Sequence, residues 1–317
     1  MVREGLIEHE HGRTWFRLLG DPASGSPLLC LHGGPGSTHH YFAPLQRLAA
    51  EVCPVVLYDQ VGCGRSDARP GVRWTLEVFL DELDLLRAEL GLSSVHLLGT
   101  SWGGMLALEH ALRRPGSLES LTLSSTLASA SEWAGEARRL RDELPEPVRQ
   151  VLERHGLDRT GLDRQGETDV PDEPEYERAL AQFDARHFFR GDPQRPELAL
   201  MRAQRAPEVY RAMWGPNEWT ITGTLRGWEI RHRLHELQLP TLVLRGRYDL
   251  CTDTIARTLL EGISGAREVV FEESSHTPVL EETERYLAVV REFIDASAAS
   301  SASIDRPYPG TGKPRST

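Results

Sequence analysis

The sequence predicts an α/β fold: a mostly parallel central sheet covered by helices on both faces, interrupted by a helical insertion. Three observations predict it. Short apolar runs alternate with helix-length amphipathic stretches, the spacing of strand–helix–strand units. This alternation stops after about Ala128 and resumes at Pro240. Finally, Gly99-Thr100-Ser101-Trp102-Gly103-Gly104 joins an apolar run, Val95-His96-Leu97-Leu98, to the helical pattern of Met105 to Leu112. Such a junction requires a sharp turn with Ser101 at its bend.

Each element follows from local pattern. Residues 13 to 19 read as an early strand closed by the turn former Gly20-Asp21-Pro22. Pro27 to Leu31 is a short buried strand running into His32-Gly33-Gly34-Pro35-Gly36, and Val55 to Tyr58 is the next. Thr75 is placed to cap a helix whose apolar positions Leu76, Phe79, Leu83, Leu86 and Leu90 recur every three or four residues. The strand before Ser101, its helix and a strand over Leu118 to Ser124 complete the first half. Pro240 to Leu244, Arg267 to Phe271 and a closing helix from about Glu281 to Asp295 make the last part. Residues 1–127 and 236–296 therefore form the expected core. Residues 128–235, rich in charge, proline and scattered aromatics, form a helical cap. Residues 297–317, rich in Ser, Ala, Pro and Gly, are expected to be a disordered tail.

With 317 residues, 39% apolar and 26% charged, the chain has the composition of an ordinary globular protein with a sizeable core. Its net charge of −11 argues against nucleic acid or an anionic membrane as partner. No run reaches the roughly 18 apolar residues that a membrane span needs. Met1 to Gly5 lacks the apolar stretch of a secretory signal, so a cytoplasmic location is expected. Cys30, Cys53, Cys63 and Cys251 lie far apart, which suits reduced thiols better than a disulfide or metal framework. The composition does not indicate an oligomeric state.

A strand that turns into a helix with serine at the bend is the nucleophile elbow of the α/β-hydrolases. A serine hydroxyl is a weak nucleophile and needs a base within hydrogen-bond reach, itself oriented by an acid. In this fold the acid follows the serine and the histidine comes last. Asp249 follows the strand that begins at Thr241, and His276 follows the next strand, so both fall on loops at C-terminal strand ends, where open parallel sheets bind ligands. Asp253 is a nearby rival for the acid. Two backbone N–H groups are expected to stabilise the oxyanion, one from Trp102 after the nucleophile and one from Gly34 in the glycine-rich loop. His32 in that loop reads as structural. Gly62-x-Gly64-x-x-Asp67 lacks the third glycine and the helix of a dinucleotide site and reads as a turn.

His-Gly-Gly-Pro-Gly at 32–36, Tyr-Asp-Gln-x-Gly-x-Gly-x-Ser-Asp at 58–67, Gly-x-Ser-Trp-Gly-Gly at 99–104 and Gly-Pro-Asn-Glu-Trp-Thr at 215–220 together resemble the proline iminopeptidases. These are serine exopeptidases of the α/β-hydrolase fold. The resemblance spans about residues 5 to 295. It implies removal of an N-terminal residue, typically proline, from short peptides through an acyl-enzyme, with no metal or other cofactor. It also implies that Glu218 holds the substrate's free α-ammonium. Family members often carry a second glutamate directly after the triad acid, and here that position is Leu250. The expected substrate is thus a small peptide or aminoacyl amide. The alternatives are an amidohydrolase that removes an aminoacyl group from an amino-acid amide or natural-product intermediate, and an esterase or lactonase.

Overall fold

The computed structural model describes residues 1–113, 117–158 and 173–304. Nine strands form one sheet: β1 (Val2–His9), β2 (Gly12–Leu19), β3 (Leu28–Leu31), β4 (Val55–Asp59), β5 (Asp67–Ala68), β6 (Val95–Thr100), β7 (Leu118–Ser124), β8 (Thr241–Gly246) and β9 (Arg267–Phe271). Their order is β1-β2-β4-β3-β6-β7-β8-β9, with β5 pairing β2 off this path. The six strands β4, β3, β6, β7, β8 and β9 pair in parallel, while β1 and β2 run antiparallel at one edge. All six parallel strands therefore deliver their following loops to the same edge.

The helices of the core are α1 (Leu76–Leu90), α2 (Trp102–Arg113), α8 (Asp253–Gly262), α9 (Pro278–Glu281) and α10 (Thr283–Ile304), with a 3-10 segment over His39–Ala50. Strand residues alternate between two apolar layers, as a pleated strand requires. Leu29, Leu31, Val56, Tyr58, Leu97 and Val243 face the layer built on α1, α2 and α8. Leu28, Cys30, Val55, Leu57, Leu98 and Leu242 face the layer containing Tyr41, Phe42, Tyr286 and Phe293. Burial on both faces explains why these strands read as unbroken apolar runs.

Between β7 and β8 lie α3 (Ala130–Asp142), α4 (Glu146–Asp158), α5 (Glu173–His187), α6 (Pro196–Gln204) and α7 (Pro207–Met213). The insertion leaves and re-enters the core at one place: the Ala130 N–H donates to Trp228 and the Ile230 N–H to Ala128. It is also tied across the sheet edge, where Ala206 donates to the Gly36 carbonyl and Gly64 to that of Gln204. None of the described helices is long and apolar enough to cross a membrane.

Three differences from the sequence reading have local causes. Strand β1 leaves almost no apolar signal in the sequence because it is an edge strand with Ile7 its only buried residue. Helix α8 leaves little apolar pattern in the sequence because only Ile255, Ala256 and Leu259 of its ten residues are buried. The closing helix does not end near Asp295 but runs to Ile304, with Ser297 buried and bonded to the Phe293 carbonyl. Residues 297–304 are thus helix rather than tail, and residues 305–317 lie outside the described part.

The turn between β6 and α2 is set by backbone contact. A Cβ on Gly103 would stand 2.0 Å from the Leu31 carbonyl oxygen, and one on Gly99 2.2 Å from that of Gly103. Neither neighbour is a side chain that can swing away. Gly103→Ala is expected to lower unfolding stability by about 3 kcal/mol or more, as backbone must move to relieve the clash. Gly135, inside α3 with nothing within 4 Å of its added Cβ, supplies the control. Gly135→Ala should stabilise by about 0.5–1 kcal/mol. Urea unfolding of both variants checks the contrast.

Candidate active site

Ser101 sits at the bend with φ of 55°, in the left-handed region that few non-glycine residues adopt. Its carbonyl caps the start of α2, accepting from Gly104 at 2.8 Å, and its own N–H donates to Ser124 at 2.9 Å. Within the buried run from Val95 to Ala111, Ser101 alone keeps partial exposure. The turn therefore lifts one side chain out of an otherwise closed layer.

His276 and Asp249 meet directly: His276 Nδ1 lies 2.7 Å from Asp249 Oδ1. With Nδ1 donating to the carboxylate, Nε2 is the nitrogen left to face a substrate. Asp253, the rival, points into solvent and pairs with Arg245 instead. Several bonds tie the Asp249 loop to the serine turn. Thr126 Oγ1 donates to the Ser101 carbonyl at 2.7 Å, Cys251 Sγ to the Thr126 carbonyl at 3.1 Å, and the Cys251 N–H to Asp249 Oδ1 at 3.0 Å. The loop carrying His276 is held from behind by Glu281, which accepts from the Ser275 N–H at 3.0 Å, the Ser275 hydroxyl at 2.7 Å and the Thr277 N–H at 3.1 Å. Thr126 and Glu281 carried no motif signal in the sequence; their importance comes from position alone.

The glycine-rich loop after β3 is built the same way. The Gln60 N–H donates to His32 Nε2 at 2.9 Å, leaving Nδ1 to donate to the Gly33 carbonyl at 3.0 Å. Burial lowers the His32 pKa to about 4, so its ring is a neutral brace. Gln60 also donates through Nε2 to the His32 carbonyl at 2.8 Å and accepts from Trp102 Nε1 at 2.7 Å. One side chain thereby locks the Gly34 loop to the residue after Ser101. Tyr41 completes the brace by accepting from the Gly33 N–H at 2.6 Å. Trp102 is the first residue of α2, so its N–H has no partner within the helix. Gln60 lay inside a motif recognised in the sequence, yet nothing there showed what it holds.

The insertion supplies the roof. Glu218 is half-buried; its Oε1 accepts from Tyr210 at 2.6 Å and its Oε2 from Trp133 Nε1 at 2.9 Å. The Trp133 ring packs edge-on against His276 at 5.8 Å, and Phe188 packs on the other part of the same imidazole at 5.0 Å. Burial pushes the Glu218 carboxyl above its ordinary pKa, against the pull of the two donors and of His276. Leu250 is buried, 1% exposed, and brings no charge. Glu218 and His276 thus share Trp133 as a neighbour, and Ser101 is joined to the Asp249 loop through Thr126 and Cys251.

The family described as alpha/beta hydrolase fold matches residues 26–283. The sheet order, the serine turn and the loop positions of Asp249 and His276 agree with that class. The chain is 37% identical over 301 residues to the proline iminopeptidase of Lactobacillus acidophilus, covering 93% of this chain and 99% of the relative. Among solved structures, the proline iminopeptidase of Mycobacterium smegmatis superposes with a TM-score of 0.83 at 35% identity, over 94% of this chain and all of that one. The structure of VinJ superposes at 0.84 with 38% identity, over 93% and 98%. The chain belongs to the proline iminopeptidase family of α/β-hydrolases, and it is a hydrolytic enzyme of the aminopeptidase type.

Burial alone lowers a histidine's pKa, but at His276 the charge and hydrogen bond of Asp249 outweigh it and leave the pKa above its ordinary value. NMR titration of the wild-type imidazole should therefore give a midpoint above about 6.5. Asp249→Asn removes the raising cause and leaves the burial, so the midpoint should fall below that value. An unchanged midpoint in the variant would contradict the account.

Proposed function

We propose that this enzyme hydrolyses the amide bond after an N-terminal residue whose α-amine is free, with proline the leading candidate. The observation that carries the reading is the Glu218 carboxylate, fixed by Tyr210 and Trp133 one aromatic ring away from His276. A carboxylate in an apolar roof gains most from a cation, and the α-ammonium lies one bond from the carbon that bears the scissile carbonyl. The insertion 128–235 acts as a cap over a core of 1–127 and 236–296.

In the proposed mechanism the Ser101 hydroxyl oxygen attacks the carbonyl carbon while His276 Nε2 takes its proton. Asp249 keeps the imidazole in the tautomer that does this and stabilises the cation it becomes. The developing oxyanion faces the backbone N–H groups of Trp102 and Gly34, which Gln60 and His32 hold in place. Collapse breaks the C–N bond, and His276 returns the proton to the leaving amine. A water molecule, deprotonated by the same nitrogen, attacks the acyl-enzyme, and the second collapse frees the acid and restores Ser101. Glu218 anchors the ammonium throughout. An esterase or lactonase has no use for that anchor, which is why the aminopeptidase reading is preferred.

Naphthylamides of Pro, Ala, Leu and Gly, with N-acetylated counterparts, test the reading. Free-amine substrates should be cleaved, with the N-acetyl forms at least 100-fold slower; equal rates would sink it. Ser101 should label with a fluorophosphonate, and Ser101→Ala should not. Glu218→Gln should cut kcat/KM on the prolyl substrate about 10- to 100-fold, the loss of one hydrogen bond to a charged group. Its effect on a simple acyl ester should be much smaller, and equal loss on both would remove Glu218 from the role of anchor.

A further inference from the structure

We propose that Phe188, in the chain that leaves α5, is a positioning residue for His276: its ring, fastened through its own backbone to the loops of Asp249 and His276, holds the imidazole in the orientation from which Nε2 serves Ser101. This rests on His276 being the general base and is independent of which acyl group is cleaved.

The imidazole needs such a support. The bond of Nδ1 to Asp249 Oδ1, 2.7 Å long, holds one corner of the ring and leaves it able to pivot about that corner. Nε2 has to stay clear to take up and return protons, so a permanent hydrogen bond there would defeat its purpose. Ring packing is the restraint that costs no proton. Phe188 lies 5.0 Å from the imidazole between ring centres with the planes inclined at 67°, and Trp133 lies 5.8 Å away at 66°. Both are in the range where edge-to-face rings attract. Trp133 is also committed to Glu218 through Nε1, whereas the Phe188 ring, the nearer of the two, has no polar group to satisfy.

The backbone around Phe188 is tied to the residues on either side of the histidine–aspartate pair. Helix α5 closes where the N–H groups of Phe188 and Phe189 both donate to the Asp184 carbonyl, at 2.9 and 3.0 Å. From that end His187 Nδ1 donates to the carbonyl of Tyr248, which precedes Asp249, at 2.8 Å. Thr277, which follows His276, donates its hydroxyl to the Phe188 carbonyl at 3.1 Å. The Arg190 N–H donates at 2.7 Å to Glu281 Oε1, an oxygen that also accepts from the Ser275 hydroxyl just before His276. The Arg190 guanidinium closes the loop by lying 3.7 Å from the centre of the Tyr248 ring.

Three hydrogen bonds within four residues thus converge on the loops of Asp249 and His276. The Phe188 ring cannot shift relative to the imidazole without breaking them, so its place is set by backbone as well as by packing. The insertion reaches the catalytic base through this segment as well as through Trp133, and a small rotation of the base is costly for proton transfer.

The test compares wild type with Phe188→Ala, Phe188→Tyr and His276→Ala on prolyl-β-naphthylamide and on p-nitrophenyl acetate. A second readout is the Nδ1 proton shared with Asp249, whose far-downfield NMR signal is seen only while its exchange with water is slow. Phe188→Ala should lower kcat on the prolyl substrate at least ten-fold with KM within about three-fold, lower kcat/KM on the ester by a similar factor, and lose the downfield signal. Phe188→Tyr, which keeps the ring, should stay within about three-fold of wild type and retain the signal. If Phe188→Ala is unfolded by circular dichroism, Phe188→Val takes its place. Wild-type kcat in the folded ringless variant, a fall in kcat with the downfield signal unchanged, or equal loss in Phe188→Tyr would each overturn the role of Phe188 and leave His276 as the base. Activity retained in His276→Ala would overturn both.

Discussion

The contact on which the site depends is the approach of the Gly103 backbone to the end of β3, where a single added carbon would sit 2.0 Å from the Leu31 carbonyl oxygen. That approach lets α2 begin immediately after β6 and forces Ser101 into the left-handed conformation. It also brings Trp102 beside the glycine-rich loop, since both leave neighbouring parallel strands at the same edge. The strain at Ser101 is sustained by regular bonding around it, to Ser124 on one side and Gly104 on the other.

Around this turn the protein uses buried polar side chains as braces. Gln60 is the clearest: three hydrogen bonds join it to His32 and Trp102, and both partners are buried. Glu281 does the corresponding work behind His276. Such groups are costly to bury unless fully bonded, and once bonded they hold their loops in one geometry. The result is that the Gly34 loop and the His276 loop are each held in one arrangement by buried side chains.

The insertion brings Glu218 to the ring that packs on His276. The Glu218 carboxylate accepts from Tyr210 and Trp133, and burial raises its pKa. Trp133 connects the two functions, donating to Glu218 while its ring rests on His276. In the proposed mechanism, an amine held by Glu218 aligns the substrate with His276, so that recognition of the amine and placement of the carbonyl become one geometric event.

Much of this was legible in the sequence. The parallel sheet, the insertion, the serine turn and the positions of Asp249 and His276 follow from local pattern: apolar periodicity, glycine where backbones must touch, and acid and base at the ends of successive strands. Strand β1 and helix α8 were not legible, because one or three buried residues leave too little apolar pattern. The strand-end position favours Asp249 over Asp253, four residues on, and the structure adds its 2.7 Å contact with His276 across a separation of 27 residues. The bracing roles of Gln60 and Glu281 were not legible either. A side chain's partner across the fold depends on which loops the sheet order makes neighbours, and that order is a property of the assembled sheet, beyond the reach of any local stretch of chain.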